Sequence, residues 1–444
     1  MSEEIAQPAT TRTLDAGRTT SFLGREWPWL VALAAALLLP WLSYDWATGR
    51  HSGFMVSMLS QMGIMIIFAL SYNMQMGQTG LLSFGHAVFL GLGGYVTAHT
   101  LNAVKAGSLW LPLEVTPLAG GLGGLLFAIL FGYFATKQRA TAFAMITLGI
   151  GELVTSCALM FQTFFGGEGG VSTNRMIGRS LFGVGYAQPL QVYYLIVAWT
   201  AVAVALMLLL TRTPLGRMAN ACRDNFERAQ FVGYDPRMVR FVQFSLSGFF
   251  AGIAGALYTL TYEIVTYDTV GGAMSANALL MTYIGGVGAF AGPVIGAVLI
   301  VLLQSWVSLL SNSWLVYAGV LFILMVTFAP GGIAGLVMMH QPIWRAGRLG
   351  RLAGPYARLV VPSLLVALGF VLAIELCSFL TIGAAQGKSL TLSGVTVNPR
   401  SGTPWIAAAL LLATGGLWMR VEMRRIGAAW GAVTEEIKAM GRRA

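Results

Sequence analysis

Between Arg212 and Arg240 the chain reads RTPLGRMANACRDNFERAQFVGYDPRMVR, with six arginines and three acids between strongly apolar flanks. The chemistry such a run offers is recognition, through charge-assisted hydrogen bonds and ion pairs to a protein partner. Arg217, Arg223, Asp224, Glu227 and Arg228 are the candidate contact residues, with Ala229 and Gly233 in the same stretch. Thr213-Pro214 is a helix opening, a side-chain oxygen followed by proline at the first helical position. Leu215, Met218, Cys222, Phe226, Ala229 and Val232 recur at three- and four-residue spacing, which predicts one apolar face. Asp224 and Arg228 form an i,i+4 pair in the favourable order. Gly233 is suited to the left-handed conformation that ends a helix, and Asp235-Pro236 caps the next one. The alternative is an interfacial helix that only anchors the loop on the membrane.

Three other constellations carry chemistry. Gly77 to Tyr95 (GQTGLLSFGHAVFLGLGGY) is glycine-dense within apolar sequence, as expected of close helix contact or a broken helix whose backbone groups bind a small polar solute. Ser83, Gly85 and His86 are therefore candidates for a solute pathway; the alternative for His86 is an imidazole satisfied by a neighbouring carbonyl. Glu152 lies deep in an apolar stretch. A charge there is costly, so it is expected to face the bundle interior or a cavity, as a pathway group or as a packing group held by a backbone or hydroxyl donor. Gly285, Gly286, Gly288, Gly292 and Gly296 offer close packing, with a hinge as the second reading; the last three have GxxxGxxxG spacing.

Catalytic signatures do not appear in the sequence. Gly383 to Ser389 (GAAQGKS) resembles a phosphate-binding loop but is one residue too short between its glycines. Cys157, Cys222 and Cys377 have no metal-ligand spacing and are read as small core residues without a disulfide framework. The chain is expected to be a non-enzyme with no cofactor of its own.

The elements that must position these residues follow from composition. Hydrophobic residues make up 56% of the chain and charged residues 10%, against about 25% charged in a soluble domain. Apolar runs near the ~20 residues that cross a bilayer as helix recur throughout. The expected fold is an all-α integral membrane protein, a polytopic helical bundle of about ten core transmembrane helices plus two C-terminal ones. The spans fall near 28–46, 54–76, 85–101, 116–135, 142–165, 190–211, 239–262, 275–288, 292–311, 314–337, 358–380 and 404–420. The net charge of +10 resides in the loops, where it sets topology and does not call for nucleic acid. Basic groups around Arg12, Arg18 and Arg25, at Lys137 and Arg139, in the 212–240 island, at Arg345, Arg348 and Arg351, and in the tail from Arg420 to Arg443 all face one side only if 275–311 crosses twice. Both termini are then cytoplasmic. Residues 1–27 form a tail, 28–340 a transmembrane domain and 341–444 an appendage with two spans and a basic tail.

At these residues the chain resembles the inner-membrane permeases of ABC importers for branched-chain amino acids, specifically the LivM-like family. Gly77 to Tyr95 is similar to the family stretch GxxGxxSxGHAxFxGxGAY, with Gly94 in place of alanine. Ala144 to Val154 with Gly166 to Gly170 resembles a second block, with Phe165 where threonine is common. Glu227 to Gly233 resembles the coupling signature EAAxxxG, with Arg228 replacing the middle alanine. Phe249 to Tyr258 and Gly285 to Gly296 complete the match, which runs from about residue 50 to 340; the region after Arg345 departs from the family's length. The resemblance implies import of branched-chain or related amino acids into the cytoplasm across a bacterial inner membrane, by alternating access. It also implies the partners: a second, LivH-like permease, two cytoplasmic ABC ATPases using ATP and Mg, a periplasmic solute-binding protein and membrane lipid. The alternatives are a stand-alone secondary transporter or channel using Glu152 and His86 as a proton relay, and a membrane scaffold built on the appendage.

Overall fold

The computed structural model describes residues 22–45, 50–138, 140–177, 180–181, 183–311, 313–348, 350–383, 390–392 and 395–441. Arg12, Arg18, Arg139, Arg442, Arg443 and all but the first residue of the Gly383–Ser389 stretch lie outside them, as do the side chains of Arg25 and Arg345.

The chain divides into two units, Met1–Ser52 and Gly53–Ala444. The first holds α1 (Phe22–Leu38), a 3-10 turn (Leu39–Ser43) and a short antiparallel pair, β1 (Tyr44–Asp45) with β2 (Arg50–His51). There His51 Nδ1 lies 3.0 Å from the Pro40 carbonyl oxygen, and its ring packs on Trp41 and Tyr44.

The second unit is built around α2 (Gly53–Thr79), α3 (Ala87–Lys105), α4 (Thr116–Ala135) and α10 (Pro236–Tyr262). Glycines let these helices approach backbone to backbone. A methyl group on Gly120 would lie 2.6 Å from the Ala256 Cβ, and one on Gly93 would lie 2.5 Å from the Gly252 Cα. Gly124 in turn faces Gly248 and Gly252. Without a hydrophobic drive between helices in lipid, such contact supplies the dispersion energy that holds a bundle together. Around this centre stand α5 (Ala140–Met160), followed by the short α6 (Gln162–Phe165), and α7 (Pro189–Arg212). Two short helices, α8 (Pro214–Asp224) and α9 (Phe226–Phe231), join α7 to α10. At the other end of α10, β3 (Val171–Ser172) and β4 (Ile264–Val265) pair antiparallel, tying together the two connections expected on the outer side.

Residues 272–310 do not form one long helix. α11 (Gly272–Gly285) and α12 (Gly292–Leu302), extended by a π-turn (Leu303–Val307) and α13 (Ser308–Leu310), fold back on each other as a hairpin. Gly285 meets Gly292, and Gly296 meets the Met281 carbonyl, a register only antiparallel helices give. The 14 residues of α11 rise about 21 Å, short of the ~30 Å hydrocarbon core. α14 (Trp314–Phe328) and α15 (Gly332–Arg345) are bent by 41° at the break between them. Gly332, at φ +65°, sits against Gly286, at φ +114°, so the two helix breaks touch. Nine helices among the described residues are long and apolar enough to cross a membrane, or ten counting the bent pair. Of the twelve expected spans, the first shortens to an apolar stretch of Trp27–Leu42 and the eighth becomes α11.

The chain ends in α16 (Gly350–Ser378), a short pair of β5 (Leu390–Leu392) with β6 (Val395–Val397), and the 40-residue α17 (Gly402–Gly441). α16 and α17 cross closely where Gly369 faces Leu411 and Leu412, and Gly415 faces Leu365 and Val366. Glu436 on α17 is paired with Arg348 (2.9 Å) and Arg351, beside a cluster of Ile343, Leu352 and Val433.

Candidate coupling site and the broken helices beneath it

The α8–α9 loop starts as its sequence demands. Thr213 Oγ1 accepts a hydrogen bond from the Gly216 amide, and Pro214 fills the first helical position. The second expectation, a single helix through Val232, is corrected. Asn225 is extended (φ −154°, ψ 104°), and its side chain accepts from the Arg228 amide at 2.9 Å, so it caps a new helix. An asparagine oxygen competes well for a helix N-terminus, and here it breaks the run. The Asp224–Arg228 pair does not form, because it needs continuous helix between them; Asp224 instead pairs with its neighbour Arg223 at 3.0 Å. Gly233 takes φ +91°, and Asp235 accepts from the Arg237 amide at the start of α10.

The break also re-aims side chains. Ala219, Cys222, Ala229 and Val239 form a small buried core under the loop. Ala229, a candidate contact residue, is thus a packing residue: its side chain is closed off by its neighbours. Val232, expected on the apolar face, is 67% exposed, and Phe231 beside it is 91% exposed. Tyr234 and Met238 continue that open apolar corner. Arg217, Asp224, Glu227, Arg228 and Gly233 are exposed on the same loop. An apolar centre with charged neighbours is the composition of a protein-binding surface. Phe231 was not legible in the sequence, since helical spacing says nothing of where a second helix turns.

Arg223 behaves differently from its neighbours. Its guanidinium Nη1 donates to the carbonyl oxygen of Gly77, in the last turn of α2, and its stem covers Gly80. Arg240 is buried, its Nε donating to the Pro236 carbonyl and its guanidinium lying over the Phe226 ring.

Beneath the loop, α2 ends at Thr79 and residues 80–86 run back along it before α3 begins. The Tyr72 hydroxyl donates to the Ser83 carbonyl at 3.0 Å. His86 is fully buried: Nε2 lies 2.9 Å from Ser71 Oγ and Nδ1 3.1 Å from Gln75 Nε2, with the Phe68 ring stacked on it. Both ring nitrogens are engaged and no face is open, so the satisfied-histidine alternative describes it, although the partners are side chains. Gly85 is a packing residue: a side chain there would collide with the Thr147 carbonyl on α5. Ser83 is buried as well, its hydroxyl without a partner among the described residues.

Glu152 departs from expectation most clearly. It is exposed on this chain and makes no hydrogen bond among the described residues. The reason is the α5 stripe that packs inward, Thr147, Gly151, Val154 and Ala158. The opposite stripe, Met145, Gly149, Glu152, Ser156 and Met160, is left open. The GxxxGxxxG reading is corrected in part: Gly292 and Gly296 pack tightly in the α11–α12 hairpin with Gly285 and Gly286, but Gly288 lies in the turn with open space around it.

The comparisons agree with this architecture. A sequence model of the family described as "Branched-chain amino acid transport system / permease component" matches residues 54–329. The chain is 29% identical over 300 residues to the high-affinity branched-chain amino acid transport system permease protein LivM of Escherichia coli (strain K12), covering 63% of this chain and 69% of the relative. It is 22% identical over 294 residues to the corresponding permease protein LivH of Salmonella typhimurium, covering 61% and 90%. It is 23% identical over 273 residues to the fructose import permease protein FruF of Bifidobacterium longum, covering 59% and 72%. No solved structure matches.

Proposed function

The chain belongs to the branched-chain amino acid transport permease family, and we propose that it is the LivM-type membrane subunit of an ABC importer for branched-chain amino acids. The observation that carries the reading is the α8–α9 loop: a packed two-helix platform between two membrane helices, presenting Phe231 and Val232 with charged neighbours to the solvent. A separate pair of ATPases would seat there and energise the subunit, which is not itself an enzyme. Phosphate-binding motifs are missing from the sequence that surrounds it.

The open stripe of α5 supports a second permease, LivH-like, beside this one. A carboxylate exposed at membrane depth is costly against lipid and acceptable against a water-filled passage or another protein. Glu152 would then line the passage between the two permeases. A periplasmic binding protein would deliver solute at the β3–β4 end, with the α8–α9 loop and both termini in the bacterial cytoplasm. One relative is named a fructose import permease, and the binding protein is assigned the choice of solute.

The test is purification of the tagged chain from its native membranes in mild detergent, with mass spectrometry of what accompanies it. The expected result is two ATPase chains and a second permease, with the ATPases lost on Phe231→Asp and the second permease retained. The chain arriving alone from cells that express such ATPases would overturn the proposal.

A further inference from the structure

The last turn of a helix leaves carbonyl oxygens without amide partners and carries partial negative charge. In α2 the amides of Gly80 and Leu81 return to the carbonyls of Met76 and Gln75. The Gly77 carbonyl is taken by Arg223 Nη1, from a residue 146 positions away on α8. The Arg223 stem lies across Gly80, where an added methyl would stand 3.0 Å from Arg223 Cγ. Gly80 is at φ +70°, a backbone state only glycine adopts freely. This is the residue at which α2 stops and the chain turns back toward Ser83 and His86.

A second break meets the same point. A methyl on Gly77 would be 2.9 Å from the Val287 carbonyl, in the turn of the α11–α12 hairpin. That turn in turn supports the α14–α15 break through Gly286 and Gly332. Returning along α2, residues 80–86 deliver the chain to α3, whose first amide, Ala87, donates to Ser275 Oγ on α11 at 3.0 Å. The end of α2, both broken segments and α8 are thus joined within one or two contacts of Arg223. On its outer side Arg223 is bonded to Asp224, whose side chain is 68% exposed on the loop surface.

We propose that Arg223 is a transmission residue and not a docking residue. It fastens the coupling helix α8 to the end of α2, so that displacement of α8 moves the break at Gly80. The chain's other loop residues take the ATPase; Arg223 passes the motion inward. This rests on the importer reading above. One guanidinium carries it because a single side chain must reach a helix-end carbonyl and cover a glycine at once. Packed contacts transmit motion when they have two discrete arrangements, and a hydrogen bond between two elements supplies a defined joint.

The experiment is reconstitution of the complete importer in proteoliposomes with wild-type, Arg223→Ala, Arg223→Lys and Gly80→Ala chains. Bound ATPase, ATP hydrolysed and solute taken up are measured on the same samples. Arg223→Ala is expected to retain its ATPase chains while moving about tenfold less solute per ATP, within the range of known coupling energies. Arg223→Lys, which keeps a donor and charge at that end, is expected to recover part of the ratio. Gly80→Ala, which crowds the stem, is expected to lower it without touching the loop surface, and it serves as the test if Arg223→Ala fails to assemble. Solute per ATP unchanged in Arg223→Ala and Gly80→Ala would overturn the proposal. So would loss of the ATPase from Arg223→Ala comparable to that from Phe231→Asp, which would make Arg223 a docking contact. A wild-type chain that carries no ATPase fails the importer reading instead, and is seen before any variant is compared.

Discussion

Each end of the molecule has an arginine that closes a helix, and the two are held very differently. At the β3–β4 end Arg175 Nη1 donates to the Leu260 and Thr261 carbonyls in the last turn of α10, at 3.2 and 3.1 Å. Its Nε reaches the Tyr186 carbonyl and its amide reaches Glu263. Its side chain is only 14% exposed. At the α8–α9 end Arg223 reaches one carbonyl of α2, pairs with an exposed aspartate, and is 38% exposed. Arg175 is over-determined and Arg223 has a single bond to another helix. A site that must hold its shape accumulates bonds; a joint that must move between two elements keeps few. Around Arg175 the neighbouring loops continue that pattern. Glu114 accepts from the Ser180 hydroxyl at 2.7 Å, the Tyr186 hydroxyl at 3.1 Å and the Leu181 amide. Burial first, and Glu114 second, push the Tyr186 hydroxyl up to about 12.

The contrast can be broken by removing each arginine's part in turn. Arg175→Met should be the most damaging change, leaving three carbonyls without their donor and Glu263 without its ion-pair partner, at a cost of about 3–5 kcal/mol. It is expected to lower the unfolding temperature in detergent and reduce uptake and ATP hydrolysis together. A stable variant with only a changed uptake-to-ATP ratio would erase the difference between the ends. Glu114→Ala should cost about 2 kcal/mol by removing the acceptor of Ser180, Leu181 and Tyr186, read as faster protease cleavage in the 183–188 region with the α8–α9 loop unaffected. Asn225→Ala removes the α9 cap for about 1 kcal/mol. The expected readout is weaker ATPase retention with an almost unchanged unfolding temperature, and full retention would mean the break at Asn225 plays no part in docking. Asp224→Ala should be the mildest, within about 0.5 kcal/mol as an exposed pair, and any loss of solute per ATP should be smaller than for Arg223→Ala. A loss as large would shift the joint from Arg223 to the pair.

A second contrast separates the permease core from the C-terminal appendage. The apolar windows of α2, α3 and α10 are 67–72% buried within the chain, while those of α16 and α17 are 17% buried. All five were readable as spans, because length and apolarity set membrane insertion. Their surroundings were not, because lipid and protein interiors select similar side chains. The glycines of Gly77–Tyr95 and Gly285–Gly296 hinted at tight packing, and the family match ends at residue 329, before α16. Among the described residues one link between the two is a hydrogen bond from the Tyr317 hydroxyl on α14 to Glu375 on α16, at 2.7 Å, and neither residue stood out in sequence.

What the sequence determined by itself is what depends on a few neighbouring residues. Thr213-Pro214 starting α8, Gly233 turning left-handed, Asp235-Pro236 starting α10 and the glycines breaking 285–292 are local matters of capping, φ preference and missing side chains. Directions were decided by the tertiary structure. Arg223 and Arg217 are alike in sequence, yet one reaches into α2 and the other faces solvent, because the end of α2 lies beside only one of them. Glu152 faces outward and His86 inward because α5 and the 80–86 segment each had one face already claimed by partners far away in the chain. A side chain's type fixes the bonds it is able to make, and packing between distant segments fixes which of them it makes.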